Sequence, residues 1–330
     1  MAGRRTPKGV FIVAFGLIGC GDIAQKRVAP VLSSSPVCKL VAVSRARSQF
    51  AESFAKKFGA LRWYADWREL LQDKDIAAVY VATPVHLHAE QTIAAIEAGK
   101  HVLCEKPMAL TVVDCNRMIA ASNRQNVKLG VAYYRHFYPV VVRIKQIINE
   151  GEIGTVVAAQ MNAFEWFDPP ADHPRSWVLK KQLSGGGPMF DFGCHRIEVL
   201  LDIFGSVDEV KAMSSNKLFR REVEDVATVI IDFERGPIAT LTVAHSAREP
   251  QDTLDIFGSK GSIHVPVLNE GKLRVLTEAG VREEFYPPAA NLHQPLIEDF
   301  ARAIMEDRSP VVDGAIGLAV AQIEEEITRQ

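Results

Sequence analysis

The residues Gly19-Cys20-Gly21-Asp22-Ile23-Ala24 close an apolar run that starts at Val10 and open a segment of helical period that starts near Asp22. A G-x-G-x-x-G/A sequence at a strand-to-helix junction narrows the fold to a βαβ unit that cradles a dinucleotide. Gly19 allows the tight turn, Gly21 lets the backbone approach a pyrophosphate, and Ala24 permits close helix-strand packing. The helix N-terminus, with Asp22 and Ile23 in its first turn, adds free N–H groups and a favourable dipole. The next strand, Leu40 to Val43, completes the unit by residue 44.

The alternation continues. Helical patterns at Ser48 to Phe58 (closed by Gly59), Trp67 to Gln72 (capped by Asp66) and Ala89 to Ala98 (ended by Gly99) separate the strands Ala77 to Ala82 and His101 to Cys104. Thr111 caps a further helix, Val127 to Tyr134 reads as a sixth strand, and a helix follows over Val140 to Asn149. After Gly151 the texture changes to seven alternating strand patterns between Val156 and Thr277, interrupted by the turn Ser184-Gly185-Gly186-Gly187-Pro188 and the helix Cys194 to Ile203. Helices over Pro295 to Met305 and Ala315 to Thr328 close the chain. With 330 residues against the roughly 250 that one core supports, two domains are expected. The fold class is α/β: a Rossmann domain over residues 1–132, then an α+β domain over 133–330 with a large, open, mostly antiparallel sheet.

Composition excludes several classes of partner. Lys+Arg 38 against Asp+Glu 40 gives a formal net charge of -2, which offers no broad positive field to nucleic acid or anionic lipid. The Val10 to Cys20 run falls short of the ~20 residues that span a bilayer. Arg4 and Arg5 ahead of it imitate a twin-arginine signal, but the run contains glycines and ends at Asp22 without a small-residue cleavage site, so it reads as a strand. Five cysteines without a CxxC pair match neither a disulfide framework nor a zinc ribbon, and a cytoplasmic location is expected.

The end of the second strand selects the ribose chemistry. An acidic side chain there would bind a 2′-hydroxyl, but Ser44 and Arg45 stand in its place and no carboxylate follows until Glu52. Arg45 and Arg47 can neutralise a 2′-phosphate, which favours NADP(H), with NAD as the alternative. Alternatively, Arg45 is a loop residue that only stacks on adenine.

Glu105-Lys106-Pro107 follows a strand of the first domain, and here the chain resembles the glucose-fructose oxidoreductase and inositol dehydrogenase family. Also similar are Ala82-Thr83-Pro84, Ala98-Gly99-Lys100-His101-Val102, Gly185-Gly186-Gly187 with Asp191-Phe192-Gly193-Cys194-His195, and Phe257-Gly258-Ser259-Lys260-Gly261-Ser262. The resemblance runs from about residue 10 to about residue 315. It implies reversible hydride transfer to or from a sugar, cyclitol or related hydroxy or keto compound, with Lys106, Asp191 and His195 as catalytic residues. Physical chemistry agrees: an ammonium polarises a carbonyl, an imidazole near its ordinary pKa accepts a hydroxyl proton, and a carboxylate four residues away can orient the ring.

Tyr134 stands where related enzymes place a tyrosine near the substrate; it is either an acid for carbonyl reduction or, like Tyr133, a packing residue. Thr83, Pro84, His88, Glu105 and Lys106 are expected at the cofactor. The chain departs from the related Thr-Pro-Asn by carrying Val85, and Glu198 stands where relatives often carry Asp, a change expected to matter little. His86 and His88 lack a third ligand at sensible spacing, so no metal is expected. Phe164, Trp166, His173 and Trp177 either cover a sugar face or belong to the core. Self-association into a homo-dimer or homo-tetramer through the C-terminal sheet is expected. A glycosidase working by transient oxidation and a non-catalytic dinucleotide sensor are the competing classes; the joint presence of Lys106, Asp191 and His195 argues against the sensor. All of these expectations need the ammonium and the imidazole to serve the same reacting carbon.

Overall fold

The computed structural model describes residues 3–5 and 11–328, so Val10, at the head of the first apolar run, lies outside the described residues. The chain divides into two compact units, Met1–Tyr134 with Ala290–Ala319, and Arg135–Ala289 with Val320–Gln330.

The first unit is built on a seven-stranded sheet. Strand β1 (Gly3–Arg5) pairs antiparallel with β2 (Phe11–Ile18). The remaining strands are β3 (Cys38–Ser44), β4 (Arg62–Tyr64), β5 (Ala78–Val81), β6 (His101–Cys104) and β7 (Leu129–Val131), in the parallel order β4-β3-β2-β5-β6-β7. All four residues of β5 are buried, the continuous apolar pattern that a strand covered on both faces requires. Local signals stop and start the helices as the sequence indicates. Gly59 ends Ser48–Phe58 at φ 71°, Asp66 accepts from the Arg68 N–H ahead of Trp67–Gln72, and Thr111 accepts from the Asp114 N–H ahead of Val112–Gln125. Strand order reverses at β2, between β3 and β5, which is the switch point where α/β sheets open a crevice at their carboxyl ends.

Two expectations change here. The sixth parallel strand stops at Val131, because its partner β6 ends at Cys104, directly opposite. Tyr134 therefore lies on a 3-10 turn, Tyr134–Phe137, and not on a strand. Residues 290–319, expected in the second domain, belong to the first unit. Helix Gln294–Met305 buries Leu296, Ile297 and Phe300, and Phe300 packs on Phe15 of β2 with ring centroids 6.4 Å apart. A methyl group on Gly130 of β7 would lie 2.9 Å from the Phe300 ring, so that glycine makes room for it.

The second unit carries an eight-stranded sheet. Its strands are β8 (Val156–Trp166), β9 (Val207–Ser215), β10 (Val226–Phe233), β11 (Ile238–Ala244), β12 (Ser246–Gly258), β13 (Gly261–Val265), β14 (Lys272–Thr277) and β15 (Gly280–Phe285). The order is β15-β14-β13-β12-β8-β11-β10-β9, antiparallel throughout except where β8 and β11 run parallel. Ala227, Val229 and Ile231 of β10 and Ala239, Leu241 and Val243 of β11 are buried and alternate with more exposed residues, as in a sheet covered on one face. Edge strand β15 escapes the sequence pattern because its charges are paired: Arg143 donates to Glu284 at 2.8 Å, and Arg282 to Glu152 at 2.6 Å.

Candidate active site

At the carboxyl end of β2 the chain turns through Gly19 at φ 94°. A Cβ there would lie 2.5 Å from the Ala82 carbonyl oxygen, so only glycine lets the loops after β2 and β5 leave the sheet side by side. Around Gly21 nothing lies within 4 Å of a built Cβ, an open cradle of the kind a pyrophosphate occupies. Ala24 is buried, Ile23 half-buried, and exposed Asp22 pairs with Lys26 at 2.9 Å. The backbone of Ser44, at the end of β3, accepts from Gly19 N–H, and Arg45 Nη1 donates to the Cys20 carbonyl at 3.1 Å while its guanidinium covers Phe50. The Gly19 turn, Ser44 and Arg45 are thus one assembly, and its residues fit a dinucleotide.

His88 ties the next two loops together. Its Nε2 lies 2.8 Å from the Thr83 carbonyl and its Nδ1 2.8 Å from the Pro107 carbonyl. The ring is 1% exposed, so His88 supports the loops carrying Thr83, Pro84 and Lys106 from behind. Burial lowers its pKa, outweighing the two carbonyls and Glu105, which favour the charged ring.

Glu105 is likewise enclosed. Its Oε1 accepts from Tyr80 Oη at 2.8 Å and lies 3.4 Å from His293 Nε2, while Oε2 accepts from the Lys106 backbone N–H at 3.2 Å. Burial alone would raise this carboxyl, but His293, Tyr80 and Lys106 hold it below the ordinary carboxylate range. Tyr134 stacks on His293 with centroids 4.5 Å apart. Tyr80 and His293 carry no motif and were not visible in the sequence; they reach Glu105 from β5 and from the head of helix Gln294–Met305.

In the second unit, Gly185 turns at φ 88°, and a Cβ on Gly187 would lie 2.3 Å from the Glu224 carbonyl. Glu224 accepts from the Gly187 N–H at 2.8 Å and so anchors the start of the helical run that carries both expected residues. Met189–Gly193 is wound as a π-helix and continues into Cys194–Phe204, placing Asp191 on the wider turn and buried His195 on the next. Arg175 Nη2 donates to Asp191 Oδ2 at 2.6 Å, and His245 Nε2 lies 3.3 Å from the same oxygen. Glu165 Oε1 is 3.6 Å from His245 Nε2. Sequence reasoning missed Arg175, Glu165 and His245, which arrive from a loop and from the ends of β8 and β11.

Other expectations sharpen. The Trp166 ring is covered by the Arg248 guanidinium at 3.7 Å and edged by Phe219, so one of its faces is already occupied. His173 Nδ1 accepts from the Arg175 N–H at 3.1 Å and holds the turn that carries this arginine. Glu198, expected to matter little, is 1% exposed and accepts from His136 Nδ1 at 2.7 Å. Burial raises its carboxyl despite that bond.

Residues 13–133 match the family described as "Oxidoreductase family, NAD-binding Rossmann fold", and residues 141–264 match the "GFO/IDH/MocA C-terminal domain". An oxidoreductase of Formosa agariphila is 31% identical over 87% of this chain and 89% of its own length. The chain belongs to the GFO/IDH/MocA oxidoreductase family. Within it, 1,5-anhydro-D-fructose reductase of Ensifer adhaerens is 29% identical over 93% of this chain and 95% of its own. The structure of levoglucosan dehydrogenase in complex with NADH and levoglucosan superposes with a TM-score of 0.85 at 28% identity, covering 96% of each chain. This family member is an enzyme of the dehydrogenase and reductase type, and among its described residues no helix is long and apolar enough to cross a membrane.

Replacing His88 with alanine removes the ring between the Thr83 and Pro107 carbonyls and leaves the one that accepts its N–H without a partner in a buried site. The expected loss is about 1–3 kcal/mol of folding free energy, read by denaturant titration. Because burial depresses the folded-state pKa, the wild type loses stability as pH falls below the unfolded imidazole value of about 6.5. That dependence flattens in His88→Ala.

Proposed function

We propose that the protein catalyses reversible hydride transfer between NADP(H) and a cyclic sugar, cyclitol or related hydroxy or keto compound. The observation that carries the reading is the polar setting of Asp191, held between Arg175 and buried His245 one helical turn before buried His195. A non-catalytic dinucleotide binder has no use for such an arrangement. The names of two relatives, levoglucosan dehydrogenase and 1,5-anhydro-D-fructose reductase, support a cyclic sugar as substrate class.

The dinucleotide, when bound, supplies the hydride acceptor or donor. The Gly19 turn, with Asp22, Ile23 and Ala24 at the helix start, binds the diphosphate; Thr83, Pro84 and Glu105 shape the nicotinamide end, with His88 as their support. Lys106 places an ammonium at the substrate oxygen and stabilises the charge that develops there. His195 takes the hydroxyl proton during oxidation and returns it during reduction, while Asp191 stabilises the charged ring. Tyr134 is a supplementary acid, oriented by its stacking on His293.

The preference for NADP(H) rests on Ser44-Arg45-Ala46-Arg47, which contains no carboxylate to repel a 2′-phosphate. Arg45 commits a donor to the Cys20 carbonyl, which fixes its guanidinium beside the ribose end of the turn. Self-association as a homo-dimer or homo-tetramer is supported by the outer face of the eight-stranded sheet, where Met213, Ile230, Ile238, Leu276, Val281 and Phe285 are exposed. Five buried cysteines without a CxxC pair fit a reducing, cytoplasmic compartment.

Lys106→Ala is expected to retain dinucleotide binding and to lose turnover by about 100- to 10,000-fold across a panel of sugars and cyclitols followed at the reduced-nicotinamide absorbance. Unchanged turnover overturns the role of Lys106, and net glycoside hydrolysis without net cofactor turnover identifies the glycosidase class. Arg45→Ala should weaken NADP(H) binding by about tenfold or more and NAD(H) binding markedly less, as measured by nicotinamide fluorescence titration. Light scattering of the intact protein is expected to give the mass of two or four chains, and Ile230→Arg to lower it to one.

A further inference from the structure

His245 stands beside Asp191 but carries no step of the chemistry described so far, and its surroundings point to what it does there. It follows β11 directly, and the backbone on both sides of its ring is fixed: its N–H donates to the Asp225 carbonyl at 2.9 Å, and its own carbonyl accepts from the Phe167 N–H at 2.8 Å. The ring is 0% exposed and lies between Phe167 and Phe192, with centroids 5.0 and 5.3 Å away. An imidazole boxed in this way cannot swing to water. Its Nε2 faces two carboxylates, Asp191 Oδ2 at 3.3 Å and Glu165 Oε1 at 3.6 Å.

We propose that His245 is a positioning residue, whose immobile ring holds the Asp191 carboxylate in the orientation that serves His195. The proposal rests on the proton-transfer roles given above to Asp191 and His195. Arg175 shares the same oxygen, but its side chain is 43% exposed and it rides on a loop. His245, fully buried and 3.3 Å from that oxygen, supplies a rigid contact. The charged groups that face this ring are Asp191 from the helical run, Glu165 from the end of β8, and Glu224 from the loop before β10; Arg175 bears on it through Asp191. Glu165, Asp191 and His245 offer ligand atoms within 4.8 Å of one another, yet the Arg175 guanidinium already provides at Asp191 the positive charge that a cation would bring.

The test is the titration of His195, followed in the full-length protein by histidine ring 15N–1H spectra, assigned with His195→Asn. His245→Phe keeps an aromatic ring and removes the nitrogen that lies 3.3 Å from Asp191, His245→Asn is too short to reach Asp191, and His245→Gln returns a polar N–H near the Nε2 position. A positioned carboxylate raises the proton affinity of His195, so His245→Phe and His245→Asn are expected to lower it about tenfold, towards the value in Asp191→Asn, with His245→Gln close to wild type. Using both variants that lose the contact to Asp191 keeps the test decisive if the phenylalanine protein does not fold. A purely structural role leaves the His195 titration unmoved in a folded variant, and a direct charge effect of losing a cationic His245 raises it; either result overturns the proposal. If Asp191→Asn itself leaves His195 unmoved, the underlying relay fails as well, which separates that failure from the failure of His245 alone. A wild-type titration that changes on adding EDTA would make the trio a metal centre and also overturn the assignment.

Discussion

Two backbones pass closer at Gly19 and Ala82 than any side chain would permit, and the dinucleotide end of the first unit is built on that approach. A single absent carbon lets the loops after β2 and β5 leave the sheet in contact, because a Cβ on Gly19 would lie 2.5 Å from the Ala82 carbonyl. The second loop then reaches a third. His88 spans from the Thr83 carbonyl to the Pro107 carbonyl, so the position of Lys106 is referred back to the glycine turn through one buried ring. Parallel strands make this economical, since every crossover presents its loop at the same edge of the sheet.

Both units then face the same problem, which is to keep polar groups at a fixed angle in a medium that penalises them. Burying a carboxylate costs several kcal/mol unless partners satisfy it, and removing one partner costs more than the pair contributes. The solutions differ in sign. Glu105 has Tyr80, His293 and Lys106 around it and is held below the ordinary carboxylate range, whereas Glu198, with His136 as its hydrogen-bond partner, is pushed above it by burial. Geometry decides between them, since both side chains are almost fully enclosed. Such groups do little for net stability; they specify one arrangement by making every other one leave a charge unpaired.

What the sequence revealed is what local chemistry writes. Gly59, Asp66 and Thr111 mark helix ends within one or two residues because capping depends on neighbours in the chain. Strands β10 and β11 could be read to the residue, since alternation records burial on one face. Edge strands β4 and β15 were not legible, one being three residues long and the other carrying Arg282, Glu283 and Glu284. The end of β7 was missed because it depends on where a different strand, β6, stops. Lys106 in the first unit and Asp191 and His195 in the second stand in motifs, while Tyr80 and His293 in the first and Arg175, His245 and Glu165 in the second are isolated residues that long-range packing brings to motif side chains. The same separation misassigned residues 290–319, whose allegiance is set by Phe300 meeting Phe15 across nearly the whole chain.

The partners of Asp191 also divide by how freely they can change. His245 is locked by backbone hydrogen bonds to Asp225 and Phe167, so its ring is presented from the ends of two sheet strands. Arg175 sits in a segment without sheet pairing, between β8 and the triple-glycine turn, with only the 3-10 turn Ser176–Leu179 and the helical turn Lys181–Ser184 for regular structure. Its anchors are local: the His173 ring on its N–H and the Phe167 face under its guanidinium. A change of length or composition there alters what surrounds the carboxylate while leaving the sheet and the helical run intact. Residues 167–184 can therefore vary around Asp191 at less structural cost than the strand ends and the helix behind them.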